Sequence, residues 1–202
     1  MLDKSKDNVL DKTGSFLTDE ELIGRFQDGD VYAFDQIVHR YKDPLTNFVY
    51  NFLNNRVDAE DVVQETFLRV FRNKYLYRNI AKFSTWIYTI AGNLARTELR
   101  RRKRKRIMSI SKMGYEGKDF DLPSTGLTPE KEVDGDIKEE LIRKEIEALP
   151  VRFKEVILLR DIEEFSYEEI SSMLKIPIGT VKSRVNRGRL RLQKKLQHLL
   201  NE

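Results

Sequence analysis

The chain has no cysteine, two histidines and a single tryptophan. Without thiols there is no disulfide framework and no thiolate metal site, which fits a reducing compartment. His39 and His198 are too few and too far apart for a zinc site. No apolar run approaches the ~18 residues that cross a bilayer, so no membrane insertion is expected. The start, Met1-Leu2-Asp3-Lys4, lacks the basic-then-apolar layout of a secretory signal, and a cytoplasmic location is expected. Alternating strand patterns of useful length are missing, as is a phosphate-cradling glycine loop. Neither histidine pairs with a carboxylate cluster by pattern. No catalytic residue, metal or cofactor is therefore expected.

What is present is charge, unevenly placed. Of 202 residues, 40% are hydrophobic, enough for a core, and 35% are charged, with a net charge of +4. Arg100 to Arg106 is an unbroken basic run, and a second basic block extends from Lys182 to Lys195. Between them Glu116, Asp119, Asp121, Glu130, Glu132, Asp134 and Asp136 make the middle acidic. Two basic patches flanking an acidic connector suit two contacts with one polyanion, although solvated faces would have the same composition.

Nearly every periodic segment reads as helix. Thr18 to Glu21 is a capping box with Leu17 and Leu22 as its staple, Gly29 ends that helix, and Asp30 caps the next. Phe34, Ile37, Val38 and Tyr41 recur at helical spacing. Pro44 suits the first turn of a further helix bearing the stripe Leu45, Phe48, Val49, Phe52 and Leu53. Asp58 is expected to cap a helix that buries Val63, Phe67, Val70 and Phe71. A polar-aromatic loop, 73–82, leads to a long helix from Ser84 to Arg106 with Ile90 and Leu94 on its core face. From 108 to 136 glycine and proline punctuate a linker. Thr128-Pro129 starts a helix with Leu141, Ile142, Ile146 and Leu149 on its face, and Pro150 opens another with Phe153, Val156, Ile157 and Leu159. The predicted fold is all-α: two small helical domains, 18–107 and 137–202, joined by a flexible acidic linker and preceded by an extension, 1–17.

The C-terminal segment carries the sharpest signal. Ser166 to Glu169 is a second capping box stapled by Phe165 and Ile170, and Lys175-Ile176-Pro177 stops that short helix. Thr180 is expected to cap the next helix, whose apolar face is Val181, Val185, Leu192, Leu196 and Leu199. Two helices joined by so short a turn form a helix-turn-helix, whose second helix enters the major groove N-terminal end first. Lys182, Ser183, Arg184, Asn186 and Arg187 lie in its first turns. Arginine bonds guanine bidentately, asparagine does so with adenine, and serine suits base or phosphate. Arg189, Arg191, Lys194 and Lys195 read better as phosphate contacts. A left-handed Lys175, where such turns often have glycine, costs ~1 kcal/mol.

Ile176 to Arg184, with Leu149-Pro150, Arg152-Phe153, Val156 to Leu159 and Phe165 to Ile170, resembles the promoter-binding C-terminal domain of bacterial sigma factors. Ala59 to Phe67 resembles that family's polymerase-binding helix, and Phe83 to Asn93 the helix that melts and reads the downstream promoter element. With two domains and a linker, the layout is that of the extracytoplasmic-function (ECF) subgroup. The resemblance implies a sigma factor that directs promoter recognition, DNA opening and transcription initiation for a stress or envelope regulon. It implies core RNA polymerase as partner, through the clamp of the largest subunit and the flap of the second-largest, together with promoter DNA and an anti-sigma factor. The connector would pass through polymerase channels, and a mere soluble tether explains its acidity equally well.

Carried onto this chain, the resemblance assigns polymerase binding to Asp58, Asp61, Val62, Gln64, Glu65 and Phe67. The carboxylates of Asp58, Asp61 and Glu65 share one helix face. Complementarity to a helix N-terminus explains Asp58 to Asp61 but not Gln64-Glu65, and a magnesium site on one helix face is the weaker alternative. Downstream DNA falls to Tyr75, Tyr77, Arg78, Asn79 and Lys82 on the loop, where an unstacked base finds aromatic and polar groups, and to Trp86, Asn93, Arg96 and Arg100 on the long helix. Trp86 is open between the core and the melted strand. Upstream DNA falls to Thr180, Lys182, Ser183, Arg184, Asn186 and Arg187. A two-component-type regulator with a sensing first half would require strands there. A nucleic-acid-processing enzyme would require a catalytic constellation.

Overall fold

The computed structural model describes residues 17–112 and 135–197. Within them the helices are α1 (Asp19–Gln27), α2 (Val31–Leu53), α3 (Arg56–Arg72), α4 (Phe83–Lys112), α5 (Gly135–Glu147), α6 (Val151–Ile157), α7 (Tyr167–Leu174) and α8 (Ile178–Leu196). A 3-10 turn, Lys74–Leu76, precedes α4, and a π turn, Leu158–Ile162, continues α6. No strand occurs among the described residues. The sensing-domain alternative thereby loses its support. The extension before Leu17, the acidic residues Glu116, Asp119 and Asp121, the Thr128-Pro129 start and Leu199 lie outside the described residues.

Local chemistry sets the boundaries. The Thr18 hydroxyl accepts the Glu21 N–H while the Glu21 carboxylate accepts the Thr18 N–H at 2.7 Å. At the other end of α1, Gly29 takes φ 107° so that its N–H reaches Phe26 O and that of Asp30 reaches Arg25 O. Asp30 then caps α2 by accepting from Tyr32 and Ala33. Several helix boundaries differ from expectation. α2 runs unbroken through Pro44, because Leu45, Phe48, Val49 and Phe52 continue the buried stripe of Ile37 and Tyr41 on one rod. α3 is capped by Asn55, not Asp58: the Asn55 side chain accepts the Asp58 N–H at 2.9 Å. α4 begins at Phe83 rather than Ser84, and the Phe83 N–H is satisfied from a distant part of the chain by the Glu20 carboxylate, at 2.9 Å. It also continues past Arg106, to Lys112.

The first four helices enclose Leu22, Ile23, Phe26, Ile37, Leu45, Phe48, Phe52, Phe83 and Ile87, all essentially inaccessible. Phe71, expected in this core, is 45% exposed although its ring meets Phe26 and Phe34. The last four helices bury Phe153, Val156 to Leu159, Ile170, Met173, Val181 and Val185. Ile142, expected on the buried face of α5, is exposed. The two halves also touch. The Asn54 amide donates to Glu147 at 2.7 Å, and the Tyr88 ring meets Phe165 at 5.0 Å.

Candidate nucleic-acid interface

α7, the turn Lys175-Ile176-Pro177 and α8 form the helix-turn-helix. The capping box of α7 closes as expected: the Ser166 hydroxyl accepts the Glu169 N–H at 3.1 Å, and Glu169 accepts the Ser166 N–H at 2.8 Å. Lys175 is left-handed, φ 53° and ψ 44°, which lets the Ile176 N–H reach Ser171 O. The Ser171 hydroxyl donates to Ile176 O at 2.6 Å and fixes the turn. α8 starts at Ile178, so Thr180 lies inside the first turn and does not cap it. Pro177 opens the helix, where its missing N–H is not needed.

One face of α8, Val181, Val185 and Gly188, is buried. A Cβ on Gly188 would stand 2.8 Å from Ile157 Cγ1, so the absence of a side chain lets α8 lie close on α6. The opposite face presents Lys182, Ser183, Asn186 and Arg187 to solvent together. Arg184 is half-buried, and its charge helps to hold down the Glu155 carboxyl of α6, which burial raises. Further along, Arg189 is bound to Asp161, its Nε at 3.1 Å, and Arg191 stacks over Phe153. Of the residues read as phosphate contacts, Lys194 and Lys195 stay exposed without an ion pair among the described contacts.

The loop before α4 is held, not loose. Gln27 donates to the carbonyls of Lys74 and Tyr77, Lys74 Nζ to Phe26 O, and the Tyr75 hydroxyl to Gln27 O at 3.0 Å. Tyr75, Arg78 and Asn79 face outward. Tyr77 does not: it is 7% exposed, wedged against Phe83 and Trp86, with its hydroxyl donating to Ala81 O. It shapes the loop from beneath and has no face free for a base. Trp86 is half-buried against Tyr77 and Phe83. Leu76 and Ile80, which sequence reading passed over, project from the same loop, Ile80 being 87% exposed. The signal was there, as apolar residues without helical phase in a polar segment.

On α4, Asn93 and Arg100 are exposed, but Arg96 is not free. Its guanidinium pairs with Glu155 and bonds Asn93 Oδ1. Lys82 pairs with Glu169 at 3.2 Å. The basic run is likewise partly committed. Arg101 holds Glu98 at 2.7 Å, and Arg102 bonds Leu53 O at 3.0 Å and the Asp58 carboxylate. Burial lowers the Arg102 pKa. Asp58 thus ties α3 to α4 instead of projecting freely. On α3, Asp61 and Gln64 are exposed and Glu65 pairs with Arg69 at 2.9 Å. Val62 is buried, and Phe67 is half-buried with its ring edge-on to Phe34. These two apolar members of the predicted polymerase face therefore support the helix from within.

Two segments match known families: residues 37–105 match Sigma-70 region 2, and 139–192 match Sigma-70 region 4. The ECF RNA polymerase sigma factor SigW of Bacillus subtilis is 37% identical over 88% of this chain and 96% of its own length. The chain belongs to the ECF sigma factor family. The sigma-E factor of Escherichia coli K12 is 34% identical over 91% of this chain and 97% of its own. Among solved structures, the sigma factor RpoE of Bartonella quintana, crystallised with the anti-sigma factor NepR, has a TM-score of 0.67 at 26% identity. It covers 81% of this chain and 96% of that one. This ECF sigma factor accordingly acts in promoter recognition and transcription initiation. Among the described residues no helix is long and apolar enough to cross a membrane.

Proposed function

We propose that this sigma factor, with domains at 18–107 and 137–202, docks on the clamp of core RNA polymerase through Asp61, Gln64 and Glu65 of α3. Its second domain engages the polymerase flap and reads the upstream promoter element. Lys182, Ser183, Asn186 and Arg187 make those base and phosphate contacts. Tyr75, Leu76, Arg78, Asn79 and Ile80 form the rim that receives an unstacked base of the downstream element, with Asn93, Arg96 and Arg100 on the strand backbone. The chemistry of RNA synthesis belongs to the polymerase, and the chain works in the cytoplasm on a stress or envelope regulon. An anti-sigma factor restrains it, as NepR binds the Bartonella protein.

The observation that carries this reading is the exposed polar-basic face of α8. Buried Val181, Val185 and Gly188 present it at the start of the second helix of a helix-turn-helix, the end that enters the groove. Runoff transcription with purified core polymerase and a pool of promoter fragments tests it. Initiation confined to a subset of fragments is expected, and absence of any promoter-dependent product refutes it. Replacing Arg187 by alanine should change the preference among upstream sequences, by roughly 1–3 kcal/mol at one base pair. Equal weakening of every sequence would make Arg187 a phosphate contact.

A further inference from the structure

The segment between α3 and α4 carries an apolar side chain at its tip. Ile80 is 87% exposed, more than any other large hydrophobic residue among the described ones. The backbone beneath it is braced. The Tyr77 ring packs on Phe83 and Trp86, and its hydroxyl donates to Ala81 O at 2.8 Å. Tyr77 thus spans the base of an arch, Arg78-Asn79-Ile80, whose own turn is closed by the Ile80 N–H on Arg78 O at 2.6 Å. From the α1 side, Gln27 holds the carbonyls of Lys74 and Tyr77. Arg78 and Asn79, beside the tip, are exposed and carry the groups that bond base edges. The charge around them has one sign. No acidic residue occurs from Thr66 to Thr97, whereas Arg69, Arg72, Lys74, Arg78, Lys82 and Arg96 are basic.

We propose that Ile80 is a wedge for promoter opening. As one base of the downstream element leaves the stack for Tyr75, Arg78 and Asn79, the Ile80 side chain enters the gap that the base vacates. The proposal rests on the assignment of this loop to the downstream element made above. A departing base exposes the apolar faces of its former neighbours to water, and an aliphatic side chain covers them again. Isoleucine, leucine, methionine and phenylalanine wedges between base steps serve this purpose in proteins that kink duplex DNA. The arch suits the task because it is already ordered. A loose loop would spend much of the gain on its own ordering. The acid-free, basic surroundings select a polyanion, and an apolar tip among them has no counterpart on phosphate. Its counterpart is a base face, which only an opened step offers.

A promoter recovered from the runoff pool supplies the template, with 2-aminopurine replacing an adenine of the downstream element. Its fluorescence rises as the base unstacks, and full-length protein with core polymerase is used throughout. Ile80→Ala should slow opening of the duplex by roughly tenfold, the scale of one buried aliphatic side chain. The same promoter with a mismatched, pre-melted downstream element should recover most of that loss. Ile80→Met, which keeps an apolar wedge, should open the duplex nearly as fast as the wild type. Because Ile80 is exposed, both variants should melt at the wild-type temperature. An equal loss on duplex and pre-melted templates would overturn the wedge, since Ile80 would then only touch the open strand. Wild-type opening by Ile80→Ala would overturn it too, as would Ile80→Met opening no faster than Ile80→Ala. A matching fall in affinity for core polymerase would make the tip a protein contact and overturn it as well. A wild-type chain that initiates at no promoter overturns the functional reading and the wedge with it.

Discussion

Gly188 faces α6 at a distance that leaves no room for a methyl group. An added Cβ would lie 2.8 Å from Ile157 Cγ1 and 3.0 Å from Cδ1, and Ile157 is itself 1% exposed, with little space to yield. Alanine's helix propensity would return ~1 kcal/mol, against ~1–3 kcal/mol for forcing the core apart. Gly188→Ala should therefore destabilise the fold by a net ~1 kcal/mol, read as a lower thermal midpoint, and weaken binding to all upstream sequences alike, unlike Arg187→Ala. Fluorescence-monitored melting and DNA titration separate the two. A second residue-scale test concerns Glu169. Burial pushes its carboxyl up, but the hydrogen bonds from Ser166 and the Lys82 partner outweigh this and hold it below the ordinary glutamate range. A depressed carboxyl stabilises above its unfolded value and loses that contribution as pH falls through the folded one. The melting gap between wild type and Glu169→Gln should thus be full near neutrality and close only as the pH falls below the ordinary carboxylate range. Both capping boxes were legible in the sequence because every participant lies within three residues. The burial of Tyr77 was not, since its fate depends on Glu20, remote in sequence, which accepts the Phe83 N–H and brings the loop down onto α1.

At the scale of elements, the helix-turn-helix was legible and the join at Pro44 was not. A proline inside a helix removes a donor and crowds the carbonyl four residues earlier, at ~3 kcal/mol, so the pattern favours a break. The continuous burial of Ile37, Tyr41, Leu45, Phe48, Val49 and Phe52 on one rod outweighs that cost. The cap of α3 was misplaced for a related reason. Asp58 has the right chemistry, but Asn55 accepts the Asp58 N–H and frees the aspartate to anchor Arg102. The turn between α7 and α8 offers a direct test. Lys175 sits at φ 53°, where a Cβ is unfavourable and glycine is not. Lys175→Gly should stabilise the C-terminal half by ~0.5–1 kcal/mol, read as a higher midpoint in thermal denaturation. An unchanged or lower midpoint would show that the lysine side chain contributes more than the backbone strain it imposes.

For the whole molecule, the sequence pattern separated two cores but gave no sign that they meet. Helical periodicity reports which face of a helix is apolar, whereas several contacts between the halves are polar: Lys82 with Glu169, Tyr88 with Glu163, Arg96 with Glu155. Such residues read as solvated or DNA-binding faces until the fold pairs them. The same imbalance predicts how the chain divides. The first half keeps its own core of Phe26, Phe48, Phe52, Phe83 and Ile87 if the second is removed, while losing the Tyr88–Phe165 contact and several polar partners. A chain ending at residue 134 should therefore retain helical structure and compete with the intact protein for core polymerase through Asp61, Gln64 and Glu65. It should direct no transcription from promoters that require the upstream element, because Lys182 to Arg187 are gone. Competition for polymerase without transcription from those promoters would show two separable anchors. Loss of polymerase binding on truncation would instead make the flap contact of the C-terminal half indispensable for docking.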